Sequence, residues 1–556
     1  MRNGEWPSFI ARPYVCGAIG HVDPDRLEAL KAAGPRVHPA LRTPEAELHS
    51  SHPLPPYYRD GRSWAFAWGE RRPTAFTSWI SVAESYETPG LIDDGERVTL
   101  HAGGLGLVDV YYLVDGDAVY FSSLLAPLLT LARRPYTIDW AAWASIVRMT
   151  FPLGDGTPYA EVRRLAGSSA LVHDRRTGRT AVERLAPRWV REEPYETGLR
   201  AGELLAILHE TFKEFEHRPL LVPVSGGYDS RLLCSVAVER GADVESWTTS
   251  PDEGTDADVA FARAITRELG VRHRVIEQDP ADYPADALEV ARRLEWLTPH
   301  HAWYAPLARE VRGAGRTLVD GLAGGALLRN SMVSETAMTS ASPRERRAAL
   351  LASLSLGRPS VPFLSQAAAD WMDETVRDSF TRATSMLHGH RAELTLSVLH
   401  TRTVRAIARS PVNLVGPETP VALPFTRPEF FDAALSVGVA RKGKGRFYRE
   451  LLHAANPRIA ALPSTNVIKQ PLTRVPLRSA SAPARAFGHR MLTAIAERVP
   501  SLLSAELHET VARGPDALAR FNGWNDRFWV RGLVLFGAWL REYEDVLGDL
   551  TPPWEG

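Results

Sequence analysis

Short apolar segments alternate with longer helical patterns between residues 219 and 277, and this alternation constrains the fold more than any other feature. The apolar segments PLLVPV, VESWTTS and VRHRVIE predict strands. The segments between them, RLLCSVAVERGA and DADVAFARAITRELG, predict helices that end at Gly241 and Gly270. A β-α-β-α-β order predicts a parallel, doubly wound sheet, because parallel strands need a crossover between them.

The chain before this region has a different character. Short β-like runs are broken by Gly, Pro and Asp, and the DGD turn at 115–117 and RRTGR at 175–179 each indicate a hairpin. These features predict an antiparallel, sheet-based domain. The Pro- and charge-rich stretch 187–198 predicts a linker, so we expect domains at 1–195 and 196–556. From about residue 326 onward the pattern is mostly helical.

Composition limits the classes of function. The chain has 65 basic and 66 acidic side chains, a balance that argues against nucleic acid as the main partner. No apolar run reaches the length of a membrane span and no secretory segment is present, so we expect a cytoplasmic location without membrane partners. Two cysteines are too few for a disulfide framework or a cysteine-based zinc site.

The turn SGGYDS joins the first predicted strand to the first predicted helix. Gly226 and Gly227 let the backbone curl around phosphates, and the helix N-terminus that follows favours anions. Ser225 and Ser230 add hydroxyl donors, and Asp229 predicts a ligand for the Mg²⁺ that neutralises a pyrophosphate. The alternative is a structural turn in which Asp229 and Ser230 cap the helix.

This turn resembles the SGGxDS signature of the PP-loop ATP-pyrophosphatases. Further segments resemble the branch that contains asparagine synthetase, β-lactam synthetase and the lasso peptide cyclases: the D…LG..H pattern from Asp258, LVDGLAGGALL (318–328), VALPFTRPEFFDAAL (421–435) and 444–471. The resemblance implies a doubly wound PP-loop synthetase domain with helical additions, which binds ATP and Mg²⁺. It also implies that Asp258 and Gly321 contact the cofactor.

The N-terminal half resembles the glutamine-hydrolysing, Ntn-type domain of asparagine synthetase, through the segment GLGLVDVYYLVDGDAVYFSSLLAPLL (104–129). In that family a cysteine exposed as the first residue releases ammonia, whereas this chain has Arg2. Cys16 lies in VCGAIG, which resembles the family's opening, but fifteen residues precede it. The resemblance therefore implies a degenerate glutaminase-like domain, with Cys16 a buried strand cysteine.

Two positions depart from the synthetase pattern. Relatives usually carry Asp at the position of Gly325, as a second magnesium ligand, and Glu or Tyr at the position of Leu322. Neither residue here offers an oxygen ligand. Asp320, at the end of a predicted strand, is a candidate replacement, as are Asp256 and Asp258. The adenylation site is either rearranged or compromised.

Two candidates for catalysis follow from the resemblance. Lys469 matches a lysine that in relatives reaches the α-phosphate and the developing oxyanion, with Lys442 and Lys444 as rivals for a basic role. His301, next to His300, falls where relatives build the acceptor pocket, and it predicts proton transfer or substrate contact. The alternative is that both histidines cap or pack a helix.

The combined expectation is an ATP-dependent ligase that adenylates a carboxylate and joins it to an amine. A lasso peptide cyclase fits the degenerate first domain and the long helical span before residue 421, which either packs on the core or forms a groove for a peptide. A small-molecule amide or β-lactam-type synthetase is the alternative. The substrate bears a carboxylate and an amine, and a leader-peptide-binding protein or a protease is a candidate partner. A catalytically impaired nucleotide-binding or regulatory protein is the alternative from another class.

Overall fold

The computed structural model describes residues 12–69, 73, 78–191, 198–250, 256–355, 357–468 and 477–556. Its strands are β1 (Val15–Ile19), β2 (His38–Thr43), β3 (Ala46–Ser50), β4 (Tyr58–Asp60), β5 (Ser63–Ala67), β6 (Gly90–Asp93), β7 (Arg97–His101), β8 (Tyr111–Asp115), β9 (Ala118–Ser122), β10 (Arg163–Arg164), β11 (Ser169–Asp174), β12 (Arg179–Arg184), β13 (Leu220–Val222), β14 (Val244–Thr249), β15 (Arg272–Ile276), β16 (Thr317–Val319) and β17 (Val421–Ala422).

The helices in the first half and through the parallel sheet are α1 (Pro24–Ala32), α2 (Trp79–Tyr86), α3 (Leu125–Leu129), α4 (Trp140–Met149), α5 (Arg188–Arg191), α6 (Ala201–Phe212), α7 (Asp229–Glu239), α8 (Ala257–Glu268), α9 (Tyr283–Arg293), α10 (Ala305–Val311) and α11 (Gly324–Arg329). The later helices are α12 (Glu335–Thr339), α13 (Pro343–Leu354), α14 (Gln366–Thr384), α15 (Glu393–Val398), α16 (Pro428–Leu435), α17 (Val439–Lys442), α18 (Arg446–Ala455), α19 (Pro457–Ala461), α20 (Ala482–Arg498), α21 (Ala505–Ala512) and α22 (Trp524–Glu542).

The N-terminal half is a sandwich of two antiparallel sheets. Their strand orders are β10-β8-β9-β1-β3-β2 and β12-β11-β7-β6-β5-β4. Both predicted hairpins are confirmed, since the DGD turn joins β8 to β9 and RRTGR joins β11 to β12. Alternate residues of each strand face the space between the sheets, as the period of a strand requires. The apolar core there includes Val15, Leu48, Phe66, Leu100, Phe121 and Leu171.

The second half contains a parallel sheet in the order β15-β14-β13-β16-β17. The predicted α/β class with an N-terminal antiparallel domain is therefore confirmed. The helices α7 and α8 end where predicted, because Gly241 and Gly270 adopt φ of +72° and +68°, which favour glycine. Part of the predicted linker is instead helical: α5 forms because Trp189 is buried, with its ring 4.9 Å from that of Phe431.

A buried ion cluster joins the two halves. Asp109, which precedes β8, accepts from the Arg164 Nε at 2.6 Å and from the Asn413 Nδ2 at 2.9 Å. The Arg409 guanidinium makes two further bonds to the same carboxylate. Asp109, Arg164 and Arg409 are each at most 2 % exposed. We call these four residues the Asp109 cluster. Asp109 is the shared counter-charge of both arginines.

An aromatic contact joins the halves at a second place. Trp143 of α4 packs against Trp539 of α22 with ring centroids 4.9 Å apart. The Trp539 Nε1 donates to the Tyr159 hydroxyl at 2.9 Å, and Tyr543 packs 5.2 Å from Tyr159. Both tryptophans are almost fully buried. Large aromatic side chains dominate the energy of such interfaces, so the two halves share one core.

Helices surround the parallel sheet after β16, as the sequence predicts for the region beyond residue 326. The segments Leu399–Ile407 and Arg409–Val415 are π-helical, a rare conformation that is frequent near functional sites. Within the described ranges, each helix is too short or too polar to cross a membrane.

Candidate active site at the ends of the parallel strands

The ends of β13 and β16 form the switch point of the parallel sheet, because the chain leaves these adjacent strands in opposite directions. Ligands of doubly wound folds bind in the crevice at this point. The 225–230 turn follows β13 and the 320–325 turn follows β16. The structure brings the two turns into contact, since a Cβ added at Gly321 would lie 2.6 Å from the Cβ of Asp229.

The two serines of the first turn are arranged around its backbone. Ser230 Oγ accepts from the Ser225 N–H at 3.0 Å, and Ser225 Oγ accepts from the Gly227 N–H at 3.2 Å. The two hydroxyl oxygens lie 3.4 Å apart, so one proton can bridge them while the other remains a donor. Because α7 begins at Asp229, the turn also lies at a helix N-terminus, which favours a bound anion.

Asp258 ties the turn to two other segments. Its Oδ1 accepts from the Gly226 N–H at 2.9 Å and from the Thr465 Oγ1 at 3.2 Å. A Cβ added at Gly226 would lie 2.6 Å from the Thr465 Cγ2 and 2.9 Å from the Phe261 ring, so the close approach requires glycine. Asp258 thus contacts the turn, as the resemblance implies, but its carboxylate is engaged with protein donors.

Arg231 was not anticipated from the sequence. Its side chain is fully buried in α7 and donates to the carbonyl oxygens of Leu462 at 2.9 Å and Pro463 at 2.6 Å. It also donates to the Gly226 carbonyl at 3.2 Å, to which Ser464 Oγ donates at 2.8 Å. Arg231 therefore fixes the 462–465 segment against the turn.

Asp229 is held between α7, α11 and α18. Its carboxylate accepts from the Tyr448 hydroxyl at 2.5 Å. Burial, the largest effect, raises the pKa of Asp229 above its ordinary value. The bond from Tyr448, the charge of Arg329 and the Gly325 N–H oppose this shift. The carboxylate is therefore directed toward the turn that follows β16.

Asp320 is the second carboxylate of the site and directly follows β16. Burial and, to a smaller extent, the charge of Asp229 raise the pKa of Asp320 to about 6, against the effect of a bond from the Leu322 N–H. Two carboxylates that repel each other are stabilised by a divalent cation. Mg²⁺ is usually held by one or two carboxylates together with substrate phosphates and water, so Asp229 and Asp320 fit a phosphate-bound Mg²⁺.

The two departures from the synthetase pattern have structural explanations. The Leu322 side chain is 2 % exposed and packs in the core, away from any ligand role. Gly325 lies in the first turn of α11 and offers its N–H to Asp229. A Cβ added at Gly325 would lie 3.0 Å from Ser331 Oγ, so a larger residue would require Ser331 to shift.

The two histidines lie in a loop before α10. His301 is 4 % exposed, and its Nε2 donates to the Ala406 carbonyl at 2.8 Å. Burial lowers the pKa of His301 to about 4, so its ring is neutral at physiological pH. The His300 Nε2 lies 2.6 Å from Thr150 Oγ1 of the N-terminal half. Both side chains thus have structural contacts, and their proposed role in catalysis stays a prediction.

Lys469, the sequence-predicted catalytic lysine, lies outside the described residues, as does Arg2. Of its rivals, Lys444 is exposed and Lys442 is 1 % exposed, with burial lowering the pKa of Lys442 to about 7. Cys16 lies inside β1 and is fully buried, which raises the pKa of its thiol to about 12. A protonated, buried thiol is a poor nucleophile.

Sequence reasoning also missed Tyr448 and Tyr304. Tyr448 lies on the apolar face of α18 and therefore has the pattern of a core residue. Tyr304 is buried, and its hydroxyl is near enough to Asp320 for that charge to raise the pKa of Tyr304 further than burial alone. The available signal was the hydroxyl group at the end of each aromatic ring. Helical periodicity alone cannot distinguish a tyrosine whose hydroxyl contacts the site from one that only packs in the core.

A serine- and glycine-rich turn beside two carboxylates at a switch point defines a nucleotide-binding α/β protein. The family model described as asparagine synthase matches residues 215–541, and the chain belongs to this family. Membership supports an ATP-dependent ligase of the asparagine synthetase type. The match begins inside the second predicted domain, while the 195/196 boundary itself stays a prediction.

Comparison with solved structures gives weaker likenesses. NMN synthetase from Francisella tularensis is 19 % identical, with a TM-score of 0.17 over 23 % of this chain and 56 % of its own length. The match thus spans about half of that enzyme. The glutamine phosphoribosylpyrophosphate amidotransferase from B. subtilis is 12 % identical, with a TM-score of 0.21 over 57 % of this chain and 77 % of its own. Neither carries an argument about function. No curated protein matches.

Proposed function

We propose that the protein is an ATP- and Mg²⁺-dependent ligase that adenylates a substrate carboxylate and couples it to an amine, releasing AMP and pyrophosphate. The observation that carries the proposal is the approach of Asp229 and Asp320 beside the 225–230 turn. Phosphate donors and carboxylates at one switch point are what a metal-bound triphosphate requires.

The proposed reaction has two steps. A carboxylate oxygen attacks the α-phosphorus of ATP, the bond to the β-phosphate breaks, and pyrophosphate leaves. The amine nitrogen then attacks the acyl carbon, the bond to AMP breaks, and the nitrogen loses a proton. Backbone N–H groups and the Ser225 and Ser230 hydroxyls bind the phosphates. Asp229 and Asp320 would hold Mg²⁺, which neutralises the pyrophosphate when bound, and Lys469 is proposed to stabilise the α-phosphate charge.

The amine is proposed to come from the substrate itself. A glutaminase of this kind needs an exposed N-terminal cysteine with a free α-amine. Cys16 is instead covered on both sides, by β3 and β9, within its sheet. Its burial supports the proposal that the N-terminal half does not hydrolyse glutamine.

The proposed substrate is a precursor peptide, which would make the protein a lasso peptide cyclase. A leader-binding protein or a protease is its proposed partner. The helices between α11 and β17 are proposed to supply the surface that binds the peptide. A small-molecule amide or β-lactam-type synthetase is the alternative. Incubation with a precursor core peptide would decide, because cyclisation removes one water from its mass, whereas a small-molecule synthetase leaves the peptide unchanged.

The adenylation proposal is tested by replacing each carboxylate separately. We expect Asp229→Asn and Asp320→Asn to lower substrate-dependent pyrophosphate release at least about 100-fold, because each removes charge at a metal-bound phosphate. Asp378→Asn, at an exposed position of α14, is the matched control and should retain the wild-type rate. Wild-type rates in both site variants would contradict the assignment.

The same measurements separate the alternative from another class, a catalytically impaired nucleotide-binding protein. The absence of a side-chain oxygen at Gly325 and Leu322 favours this alternative. It predicts that the wild-type chain binds ATP without releasing pyrophosphate in the presence of any acceptor. Binding of ATP that Mg²⁺ strengthens, followed by pyrophosphate release, would exclude it.

A further inference from the structure

His300 marks a place where three distant parts of the chain meet. Its ring packs against that of Phe528 in α22, with centroids 5.5 Å apart, and its Nε2 contacts Thr150 at the end of α4. The guanidinium carbon of Arg358 lies 4.5 Å from the centroid of the same Phe528 ring. Arg358 and His300 therefore share one aromatic neighbour.

Two more arginines surround this histidine. After burial and the neighbouring His301, the positive charges of Arg531, Arg402 and Arg358 are the strongest causes that hold the pKa of His300 well below its ordinary value. Arg531 lies one helical turn beyond Phe528, and Arg402 comes from the π-helical segment. We call His300, Arg358, Arg402 and Arg531 the cationic recess.

Two arginines of the recess, Arg358 and Arg402, form no ion pair with the residues that the structure describes. Arg358 is 1 % exposed; its Nε and Nη2 donate to the carbonyls of Ser355 at 2.7 Å and Arg148 at 3.3 Å, while its buried Nη1 has no partner. The neighbouring Arg148 is paired with Asp373 at 2.6 Å, so that carboxylate is already used. Arg402 makes no ion pair or hydrogen bond with any residue that the structure describes.

The recess is partly exposed to solvent, and one loop connects it to the candidate active site. His300, Arg402, Arg531 and Phe528 are each half-buried, whereas Arg358 forms the floor. The loop that carries His300 continues to Tyr304, whose hydroxyl is near Asp320. A ligand group in the recess would therefore be close to the loop that also borders the proposed Mg²⁺ site.

Desolvated cations without counter-charges are costly, and a bound anion removes that cost. The planar guanidinium group binds carboxylates with two parallel hydrogen bonds, which suits Arg402, and the free Nη1 of Arg358 can donate a further bond. We propose that the cationic recess binds a carboxylate of the acceptor substrate, other than the one that is adenylated. The assignment of this carboxylate to the acceptor substrate rests on the proposed function, whereas anion binding by the recess does not.

Anion binding is tested on the full chain by thermal unfolding with sodium succinate as the probe and sodium chloride at matched ionic strength as the reference. We expect succinate to raise the melting temperature by a few degrees beyond chloride, with saturation, because it binds the folded state. Arg402→Gln should abolish the difference and Arg402→Lys should retain part of it. Arg382→Gln, exposed on α14, should keep it in full.

Several outcomes would overturn the inference. A succinate effect no larger than that of chloride, or one that survives Arg402→Gln, excludes a carboxylate site in the recess. A parallel titration with sodium phosphate separates the two anion classes, and stabilisation by phosphate without stabilisation by succinate also contradicts the proposal. Arg402 is chosen for substitution because its side chain donates no hydrogen bond to a backbone carbonyl of the described residues, unlike Arg358. Its variants should therefore fold even if Arg358→Gln does not.

A kinetic measurement distinguishes this inference from the proposed function. In the pyrophosphate-release assay, Arg402→Gln should raise the KM for the acceptor at least about tenfold and leave the KM for ATP unchanged, because a charge-assisted bond is lost only from the acceptor. An unchanged KM for the acceptor would contradict the assignment of the bound carboxylate to the acceptor substrate. If the wild-type chain releases no pyrophosphate, the proposed function fails, and the succinate titration still decides whether the recess binds carboxylates.

Discussion

Two clusters in the molecule contain buried charge and treat it in opposite ways. In the Asp109 cluster one carboxylate receives bonds from Arg164, Arg409 and Asn413, so every buried charge has a partner. In the cationic recess, the buried Arg358 and the half-buried Arg402 form no ion pair within the described part of the chain. The first arrangement joins two halves of a chain. The second has the composition of an anion-binding site.

The difference separates structural from functional burial of charge. A fully paired cluster contributes to the folded state and is sensitive to the loss of any member. An unpaired cluster is a cost to the folded state and is relieved by a ligand or by removal of a charge. The two clusters should therefore respond in opposite directions to mutations that neutralise one residue.

The largest expected effect is at the centre of the paired cluster. Asp109→Asn should lower the free energy of unfolding by about 3–5 kcal/mol, because it leaves Arg164 and Arg409 buried without a counter-charge. Urea unfolding followed by tryptophan fluorescence measures this change. Asp370→Asn, exposed on α14, is the control and should shift the free energy by less than about 0.5 kcal/mol. A loss below about 1 kcal/mol for Asp109→Asn would mean that the cluster does not hold the halves together.

A smaller effect of the opposite sign is expected at Lys442, an isolated buried cation. Burial lowers the pKa of Lys442 from 10.5 to about 7, so between these values the unfolded chain binds more protons and stability rises with pH. Lys442→Met should remove this slope and stabilise the protein at pH 6 by about 1–3 kcal/mol.

The measurement is the free energy of unfolding between pH 6 and 10 for both chains. Lys444→Met, two residues further on at an exposed position, is the matched control and should leave the slope unchanged. A slope of the same size in Lys442→Met would assign the pH dependence to other groups.

The smallest expected effect is in the recess itself. Without added anions, Arg402→Gln should stabilise the protein by about 0.5–1 kcal/mol, because it removes repulsion from a half-buried arginine whose charge solvent partly screens. Unfolding in low-salt buffer measures it, and the gain should shrink when salt is added. A destabilised variant would show that Arg402 has a structural partner and that the two charge clusters are alike.

The sequence predicted the fold class well and the site only in part. Alternating apolar and helical segments, with glycines at 241 and 270, were enough for the parallel sheet, because these signals are local. The contact between the two turns was not predictable from spacing, since Asp229 and Asp320 are ninety-one residues apart and meet only through the order of β13 and β16. The role of Lys469 stays a prediction.

Other residues of the site have sequence patterns that do not distinguish them from ordinary helix residues. Arg231 follows the turn in an otherwise apolar helix, and no sequence pattern marked it as a site residue, yet it is fully buried and binds three carbonyl groups beyond the turn. Tyr448 looked like core. The recess combines the segments that carry His300 and Arg358 with α22 and the π-helical segment, and no local pattern indicates that residues so far apart in sequence lie together.

The contact between Trp143 and Trp539 determines whether the N-terminal half of the chain can be lost. α4 and α22 lie far apart in the sequence, and neither half can bury its tryptophan without the other. Deletion of the N-terminal half would expose the aromatic side chains of α22 to water. The second half therefore needs the N-terminal half for packing, whatever chemistry the N-terminal half performs.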